Sequence, residues 1–360
     1  MNKYKVCVYA ICKNESKHIK RWYESMKEAD EIYVLDTGST DGSQNILKEL
    51  NINYKEEKII PWRFDVARNK SLEMVPDDCN ICVCTDIDEV FNKGWRSELE
   101  RVWNNKINCV KYQLNFSFDE YGNPATTLYI SKIHSRHGFK WVHMIHEVLD
   151  CDERKEAISN KIVLNHYPDP HKSRSNYLEL LEQSVIDEPD SDRNLHYLGR
   201  EYMYNNEHLK CIETLHKHLN HPNATWKEER AASMRYIARS YSELNYKEEA
   251  EYWYKKAINE APKLREGYVE LGYLYYKLED YKNAYDILNE SLKIKSRSQV
   301  YINEDFCWNS FIYDLLSICA YKLGRTNDAY KYINEAVKLD KDNLRLLNNL
   351  DIISEKIKKD

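Results

Sequence analysis

Glycine and proline are scarce in this 360-residue chain, which has 9 and 8 of them respectively. This scarcity excludes collagen-like and low-complexity proteins, and a hydrophobic share of 42% is too high for a disordered chain. No apolar run approaches the 18 residues that a membrane-spanning helix needs, so we expect no such helix. The length predicts two or three domains.

An excess of basic residues is also missing, since 53 Lys and Arg stand against 59 Asp and Glu. Nucleic-acid-binding proteins normally carry a basic excess, so we predict no nucleic-acid partner. Among the ten cysteines, Cys79, Cys82 and Cys84 cluster, but on a strand Cys79 would point away from the other two. We therefore expect buried free thiols in a cytoplasmic protein, and neither a disulfide scaffold nor a cysteine zinc site.

The first part of the chain, up to about residue 170, alternates strand-like and helix-like stretches. We predict strands at 5–12, 31–37, 52–57 and 80–88, and helices at 15–28, 39–50 and 65–75. We read the first run as a buried strand and not as a signal peptide, and we expect Ser39 or Thr40 to cap the second helix. The order predicts an α/β domain with a mostly parallel, Rossmann-like sheet, followed from 107 by further strands.

From about residue 190 the sequence is helical and repeats every 34 residues. Small residues recur at this interval in three pairs: Ala238 and Gly272, Ala250 and Ala284, Ala257 and Ser291. A 34-residue period with small residues where paired helices cross is typical of tetratricopeptide repeats. A looser unit includes Gly199, a further one includes Ala329, and an insertion lies around 296–307. We predict a transferase-like α/β domain over 1–170, a linker or helix over 171–190 and helical repeats over 191–360.

Two aspartates, Asp86 and Asp88, end the apolar stretch at 80–88. In an extended segment, side chains two residues apart project to the same side. Neighbouring carboxylates repel each other unless a cation lies between them, and oxygen ligands suit Mn²⁺ or Mg²⁺. The pair therefore predicts a metal site at the carboxyl edge of the sheet, where α/β proteins bind ligands. A solvated acidic turn is the alternative interpretation.

Asp36 ends another predicted strand and precedes Gly38, Ser39 and a helix. An aspartate there can accept hydrogen bonds from a base or ribose, and free N–H groups at a helix start suit phosphate. Asp-Thr-Gly-Ser is also the active-site sequence of aspartic proteases. Those enzymes need two copies in an all-β fold, whereas this chain has one copy followed by a helix.

Three further positions hold candidate binding or catalytic residues. Arg68 on a predicted helix could reach a phosphate, and a surface arginine is the alternative. His143, Ile145 and Glu147 would share one face of a predicted strand, so this segment is not a zinc-binding H-E-x-x-H helix. His166 ends a later apolar run, and a structural histidine is the alternative there.

In this order, the segments resemble family 2 glycosyltransferases of the GT-A fold. The resemblance covers about 4–170 and rests on 10–15, 36–42, 64–69, 86–89, 145–147 and 166–167. The pair His146-Glu147 and the later pair His166-Tyr167 resemble the pattern of the subgroup that contains lipopolysaccharide-core β-glucosyltransferases. With helical repeats appended, the layout is most similar to sublancin-type peptide S-glycosyltransferases.

The resemblance implies an inverting enzyme that moves a sugar from a UDP-sugar to a peptide, protein or glycan. Its donor pocket is expected to contain Asn14, Glu15, Asp36, Gly38, Ser39, Arg68, Asn69 and Asp86. Asp36 would bind the uracil or ribose.

Asp88, with Asp86 acting through water, would hold Mn²⁺ or Mg²⁺ on the diphosphate, and His166 would be a further ligand. Glu147 would accept the acceptor's proton, with Glu89 and Asp65 as alternatives.

Two other classes of protein stay open on sequence alone. One is a haloacid-dehalogenase-like phosphotransferase with Asp86 as nucleophile and Asp88 as general acid. The other is a non-enzymatic repeat scaffold with a degenerate transferase domain. In the transferase interpretation, the helical repeats present the acceptor, and self-association into a homo-oligomer is the alternative role for them.

Overall fold

The computed structural model describes residues 3–118, 122–169, 177–298 and 300–359. The chain divides into two compact units, Met1–Leu180 and Leu181–Asp360. Residues 171–176 of the predicted linker lie outside the described residues, and Tyr177–Asp187 forms a helix.

The first unit contains ten strands and four helices among its described residues. In chain order they are β1 Val6–Cys12, α1 Ile19–Met26, β2 Glu31–Asp36, α2 Ser43–Glu49, β3 Asn53–Glu56, α3 Phe64–Glu73, β4 Ile81–Cys84, β5 Glu89–Phe91, α4 Trp95–Val102, β6 Cys109–Phe118, β7 Pro124–Ser135, β8 Lys140–Val142, β9 Val148–Asp150 and β10 Glu156–His166. The strands and helices predicted up to residue 84 are therefore present, with their ends shifted by a few residues.

Eight strands form one sheet in the order β3-β2-β1-β4-β7-β6-β10-β5, and β8 and β9 form a separate hairpin. The half made of β3, β2, β1 and β4 is parallel throughout. In the other half, β7 is antiparallel to both neighbours and β5 is antiparallel to β10, while β6 and β10 are parallel. The predicted parallel, Rossmann-like half is confirmed, and the complete sheet is mixed.

Both faces of the central strand β1 are covered. Val6, Val8 and Ala10 pack in one apolar core, and Cys7 and Tyr9 pack in a second core on the opposite face. Strands buried on both faces are typical of parallel sheets with helices on each side. This arrangement explains why the first strand reads as a continuous apolar run.

All ten cysteines are free, and nine of them are buried, as predicted. The predicted direction of Cys79 is wrong, since its Sγ lies 4.0 Å from that of Cys82. Cys79 precedes β4 and is not part of the strand, so strand alternation does not apply to it.

The second unit is helical throughout its described elements. After α5 Tyr177–Asp187 they are α6 Asp192–Tyr204, α7 His208–Asn220, α8 Lys227–Glu243, α9 Lys247–Glu260, α10 Arg265–Lys277, α11 Tyr281–Ser291, a short 3₁₀ helix Asp305–Cys307, α12 Ser310–Lys322, α13 Thr326–Leu339 and α14 Leu344–Lys359. In the described ranges, no helix has both the length and the apolar character required to cross a membrane.

Close helix crossings explain the repeated small residues. A Cβ added at Gly272 would lie 2.6 Å from Leu288 Cγ, and one added at Gly199 would lie 2.3 Å from Leu215 Cδ2. In both helix pairs the glycine precedes the leucine by 16 residues. The looser unit around Gly199 therefore packs its two helices in the same way as the clearer repeat around Gly272.

Candidate functional site

Asp36 is fully buried at the carboxyl end of β2. Its Oδ1 accepts hydrogen bonds from the backbone N–H groups of Gly38 and Ser39, at 3.0 and 2.9 Å, and from Gln44 Nε2 at 3.2 Å. Its Oδ2 is buried with no hydrogen-bond partner among the described residues. A buried acceptor without a partner is costly, at about 1–3 kcal/mol, so this oxygen is suited to a ligand's N–H or O–H donor.

The loop after β1 is tied to the loop after β2. Asn14 N donates to Ser39 Oγ at 2.8 Å, and Thr40 N donates to Asn14 Oδ1 at 2.7 Å. Glu15 N donates to Ser43 Oγ at 3.0 Å. These contacts bring Asn14 and Glu15 beside the Asp36 loop.

The predicted helix cap at Ser39 or Thr40 is wrong, because α2 begins at Ser43 with Gly42 as its N-cap. Ser39 Oγ accepts the N–H of Asn14 instead of capping the helix. Gly42 has a φ of 87°, a left-handed conformation that glycine adopts easily.

Arg68 on α3 joins two acidic groups from distant parts of the chain. Its Nε donates to Glu147 Oε1 at 3.0 Å, and its Nη2 donates to Asp86 Oδ1. The guanidinium also lies 5.4 Å from the centre of the Trp141 ring. Arg68 is 3% exposed, so the alternative of a surface arginine is wrong.

Asn69, the next residue, forms hydrogen bonds with the backbone of Trp141. Its Nδ2 donates to Trp141 O at 2.8 Å, and its Oδ1 accepts from Trp141 N at 2.9 Å. Both amide atoms of Asn69 thus hold β8 against α3.

Asp86 and Asp88 lie in the turn between β4 and β5, and not in the extended segment that the sequence predicted. Their carboxylates have different partners. Asp86 Oδ2 accepts from Lys132 Nζ at 3.2 Å, while its Oδ1 accepts from Arg68. Asp88 Oδ2 lies 3.4 Å from His166 Nε2. The cations beside Asp86 are therefore two side chains of this protein.

Electrostatics at this turn follow from the buried cations. Burial alone would raise the pKa of Asp86, but the positive charges of Arg68 and Lys132 outweigh it and hold that pKa well below its usual range. Burial raises the pKa of Glu89, whose Oε2 accepts the N–H of Asp86 at 2.7 Å. Lys132 is the residue that sequence reasoning missed, and its only signal was a lysine within the apolar stretch of β7.

His166 ends β10 and faces Asp88. Its Nδ1 lies 3.1 Å from the carbonyl oxygen of Phe116, and its ring stacks on the Phe116 ring. Burial would lower the pKa of His166, but the contact with Asp88 outweighs it and raises that pKa. Asp88 and His166 thus offer a carboxylate oxygen and an imidazole nitrogen at one place.

The segment around Glu147 is a loop, so the predicted strand is wrong. β8 ends at Val142 and β9 begins at Val148, and both His143 and His146 have positive φ angles. Met144 and Ile145 are buried, and the carbonyl of Met144 accepts the N–H of Phe64 at 2.9 Å. The apolar pattern here reflects burial of a loop against α3.

Of the three candidate bases, Asp65 is held by Arg63 through both of its oxygens, at 3.1 and 2.9 Å. Glu89 is 3% exposed and is engaged by Asp86 N and, at 3.5 Å, by Lys132 Nζ. Glu147 is bound through Oε1 to Arg68 and lies beside Asp86 through that shared arginine.

In the second unit, residues 301–308 lie along the first helices of two repeats. Arg239 Nη2 on α8 donates to Glu304 at 2.8 Å, and Arg265 on α10 stacks on Trp308 at 3.9 Å. Ile302 and Cys307 are buried. The predicted insertion is therefore packed onto α8 and α10.

Comparisons with known proteins agree with this two-part organisation. Residues 7–146 match the family model for glycosyl transferase family 2. Residues 237–264, 266–297 and 312–343 match the model for the tetratricopeptide repeat. No curated protein matches the chain significantly.

Similar solved structures include MamA, with 17% identity over 50% of this chain and 99% of that one, at a TM-score of 0.39. The YrrB structure, described as a TPR protein with an unusual peptide-binding site, has 13% identity, covers 50% and 85% of the two chains, and has a TM-score of 0.40. Pseudomonas aeruginosa pilF has 12% identity, coverages of 49% and 72%, and a TM-score of 0.39. From the two family matches, the chain joins a glycosyl transferase family 2 domain to a region of tetratricopeptide repeats.

Proposed function

We propose that this glycosyltransferase is an inverting, metal-dependent enzyme that transfers a hexose from a UDP-sugar to a peptide, protein or glycan. The observation that carries the proposal is the position of three aspartates at the carboxyl ends of strands in one parallel half-sheet: Asp36 ends β2, and Asp86 and Asp88 follow β4. The carboxyl ends of such strands are the usual ligand-binding edge of an α/β sheet.

The base or ribose of the donor binds at Asp36 in this proposal. The buried Oδ2 supplies an acceptor for the N–H of uracil or for a ribose hydroxyl. Asn14 and Glu15 line the same pocket through their loop contacts with Ser39 and Ser43. Gly38 and Ser39 hold the other oxygen of Asp36, so the carboxylate is oriented before the donor arrives.

Asp88 and His166 fit one side of a Mn²⁺ or Mg²⁺ ion, since their ligand atoms are 3.4 Å apart. Magnesium sites with one or two protein ligands and the remainder from phosphate and water are common. When bound, the ion would stabilise negative charge on the leaving diphosphate. Asp86 acts less directly, because it is already engaged by Arg68 and Lys132.

Glu147 accepts the proton of the incoming acceptor in this proposal. Arg68 fixes Oε1 and so orients the carboxylate near the turn that carries Asp86 and Asp88. Displacement with inversion needs such a group on the face opposite the nucleotide. Glu89 and Asp65 are weaker candidates, because their oxygens are engaged by Asp86 N and Lys132 and by Arg63 respectively.

The phosphotransferase alternative requires Asp86 to attack a phosphate. Arg68 and Lys132 hold its two oxygens, so both are already engaged in ion pairs. The family match to residues 7–146 also favours a glycosyltransferase.

This proposal can be tested by assaying the purified full-length protein with a panel of nucleotide-sugars, with and without Mn²⁺. We expect slow release of UDP from one UDP-hexose without acceptor, and a requirement for the metal. Equal turnover after chelation would contradict the metal dependence, and turnover of a simple phosphate ester instead would favour the phosphotransferase.

We further propose that the tetratricopeptide repeats present the acceptor. Tyr273 on α10 and Tyr321 on α12 are exposed aromatic side chains on the first helices of two repeats. Replacing both by serine is expected to lower transfer to the acceptor while UDP release from the donor stays unchanged. If transfer is unaffected but the variant elutes from a size-exclusion column as a smaller species than the wild type, the repeats serve self-association instead.

A further inference from the structure

Three helices at the start of the second unit bring two histidines and a glutamate together. His196 lies on α6, His218 on α7 and Glu229 on α8. Their potential ligand atoms, one from each residue, all lie within 4.8 Å of one another. Both histidines are fully buried and Glu229 is 6% exposed. Among the described residues, this is the one group of three such side chains at that spacing.

Ser233 on α8 is placed between the two imidazoles. Its Oγ lies 2.8 Å from His196 Nδ1 and 3.0 Å from His218 Nδ1. A hydroxyl oxygen has two lone pairs, so it can accept N–H bonds from both rings. That arrangement leaves the lone pairs of both Nε2 atoms free, and outer-shell partners of this kind usually fix metal-binding histidines.

The two Nε2 atoms are the reason to look for a ligand here. Both are buried and have no hydrogen-bond partner among the described residues. Glu229 Oε1 lies 3.6 Å from His218 Nε2, a separation too long for a hydrogen bond. Buried polar atoms are normally paired, so two unpaired nitrogens beside a carboxylate indicate a missing partner.

The carboxylate is oriented from its other side. Tyr301 OH donates to Glu229 Oε2, and the Tyr301 ring stacks on Tyr197 at 5.8 Å. Oε1 is thereby directed toward the histidines. Ser233 thus holds the two histidines and Tyr301 holds Glu229, and both leave the atoms that could bind a ligand unobstructed.

We propose that His196, His218 and Glu229 form a zinc site that joins α6, α7 and α8. Imidazole nitrogen favours zinc and other transition metals, whereas Mg²⁺ and Ca²⁺ prefer sites made of oxygen. Tetrahedral zinc, with bonds of about 2.0–2.2 Å, places its ligand atoms about 3.3–3.5 Å apart, so binding draws the three side chains slightly together. The fourth ligand is water, and the site shares no residue with the proposed Asp88 and His166 site.

The test measures metal in the full-length protein. The protein is unfolded with a chelator, refolded with Zn²⁺ or with Co²⁺, and dialysed against a mild chelator that removes metal from exposed sites. We expect about one zinc per chain by elemental analysis. The cobalt form is expected to show the visible absorption bands of a tetrahedral site.

Substitutions then assign the metal to this cluster. His218→Gln and Glu229→Gln are each expected to lose the retained zinc. His216→Gln, on the same helix, and Asp88→Asn, at the proposed transferase site, are expected to keep it. Loss of zinc in Asp88→Asn instead would place the metal in the transferase unit and overturn the assignment.

A wild-type protein that refolds without retaining zinc, and without cobalt bands, would show a metal-free polar cluster and overturn the proposal. Retention of zinc in both His218→Gln and Glu229→Gln would do the same. If a variant fails to refold by circular dichroism, the cobalt spectrum of the wild type decides, because it needs no substitution.

Discussion

Asp36 and Asp86 each follow a buried strand of the same sheet, yet their carboxylates are stabilised in different ways. Asp36 is held by the backbone N–H groups of Gly38 and Ser39, two and three residues further along the chain. Asp86 is held by Arg68 and Lys132, which lie 18 and 46 residues away in the chain. The Asp36 loop is therefore a local structure that is ready for a ligand. The Asp86 turn depends on three separate elements packing correctly.

The largest effect is expected from removing the shared cation of the Asp86 turn. Arg68→Met leaves Asp86 and Glu147 without their common partner. Losing one member of a buried ion pair costs about 3–5 kcal/mol of unfolding free energy, and the partial exposure of Asp86 places this case at the lower end. Urea denaturation would measure the loss.

Lys217→Met is the control for this loss, because Lys217 pairs with Glu213 at the surface and its removal should change little. Equal stabilities of Arg68→Met and the control would show that the Asp86 turn does not depend on distant cations.

A smaller effect, on catalysis and not on stability, is expected from changing Asp88, the other aspartate of the same turn. Asp88→Asn keeps the shape of the side chain but removes the charge that pairs with His166. We expect metal-dependent UDP release to fall about 100-fold at limiting Mn²⁺, with the fold intact. Asp77→Asn, an exposed aspartate before β4, is the control and should retain activity. Full activity of Asp88→Asn would remove Asp88 from the metal site.

His134 is a buried titratable group that is stabilised in a third way, because the fold keeps it neutral. Its Nε2 lies 2.8 Å from Tyr9 OH, and burial lowers its pKa from 6.5 to about 4. The unfolded chain therefore binds a proton between pH 6.5 and 4 that the folded protein does not, so stability is lost as pH falls through this window.

We expect the unfolding free energy of the wild type to fall by about 2 kcal/mol more than that of His134→Gln between pH 7 and pH 5. Parallel pH profiles of the two proteins would show that His134 is not the group responsible.

The smallest effect is expected where the stabilisation is local. Asp36→Asn keeps an oxygen for the N–H groups of Gly38 and Ser39 but replaces Oδ2 with a donor. We expect KM for the UDP-sugar to rise about tenfold with kcat little changed, because the contact is the same in ground and transition states. Steady-state kinetics would measure both constants. A collapsed kcat with unchanged KM would make Asp36 catalytic.

The sequence predicted the local part of the site better than the part assembled at long range. Asp36, Gly38 and Ser39 lie within one loop, so a short motif contains most of the geometry. Lys132 was missed because a single lysine within the apolar stretch of β7 reads as ordinary strand alternation until β4 lies beside it.

The same reason accounts for the incorrect strand predicted around Glu147. Met144 and Ile145 are apolar because they pack beneath a loop, and short apolar runs do not distinguish a strand from a buried loop. The turn at Asp86 and Asp88 was likewise read as extended. Both aspartates of the turn were identified from the sequence, but the pairing of Asp86 with Arg68 and Lys132 was not.

Binding of a nucleoside diphosphate by the Asp36 loop and the Asp88 turn together is best tested by titrating UDP into the full-length protein in the presence of Mn²⁺. Isothermal calorimetry is expected to show one UDP site per chain. Asp36→Asn and Asp88→Asn should each weaken that site about tenfold or more, and Asp77→Asn should leave it unchanged. No binding of UDP to the wild type, or the same affinity in all four proteins, would contradict the claim.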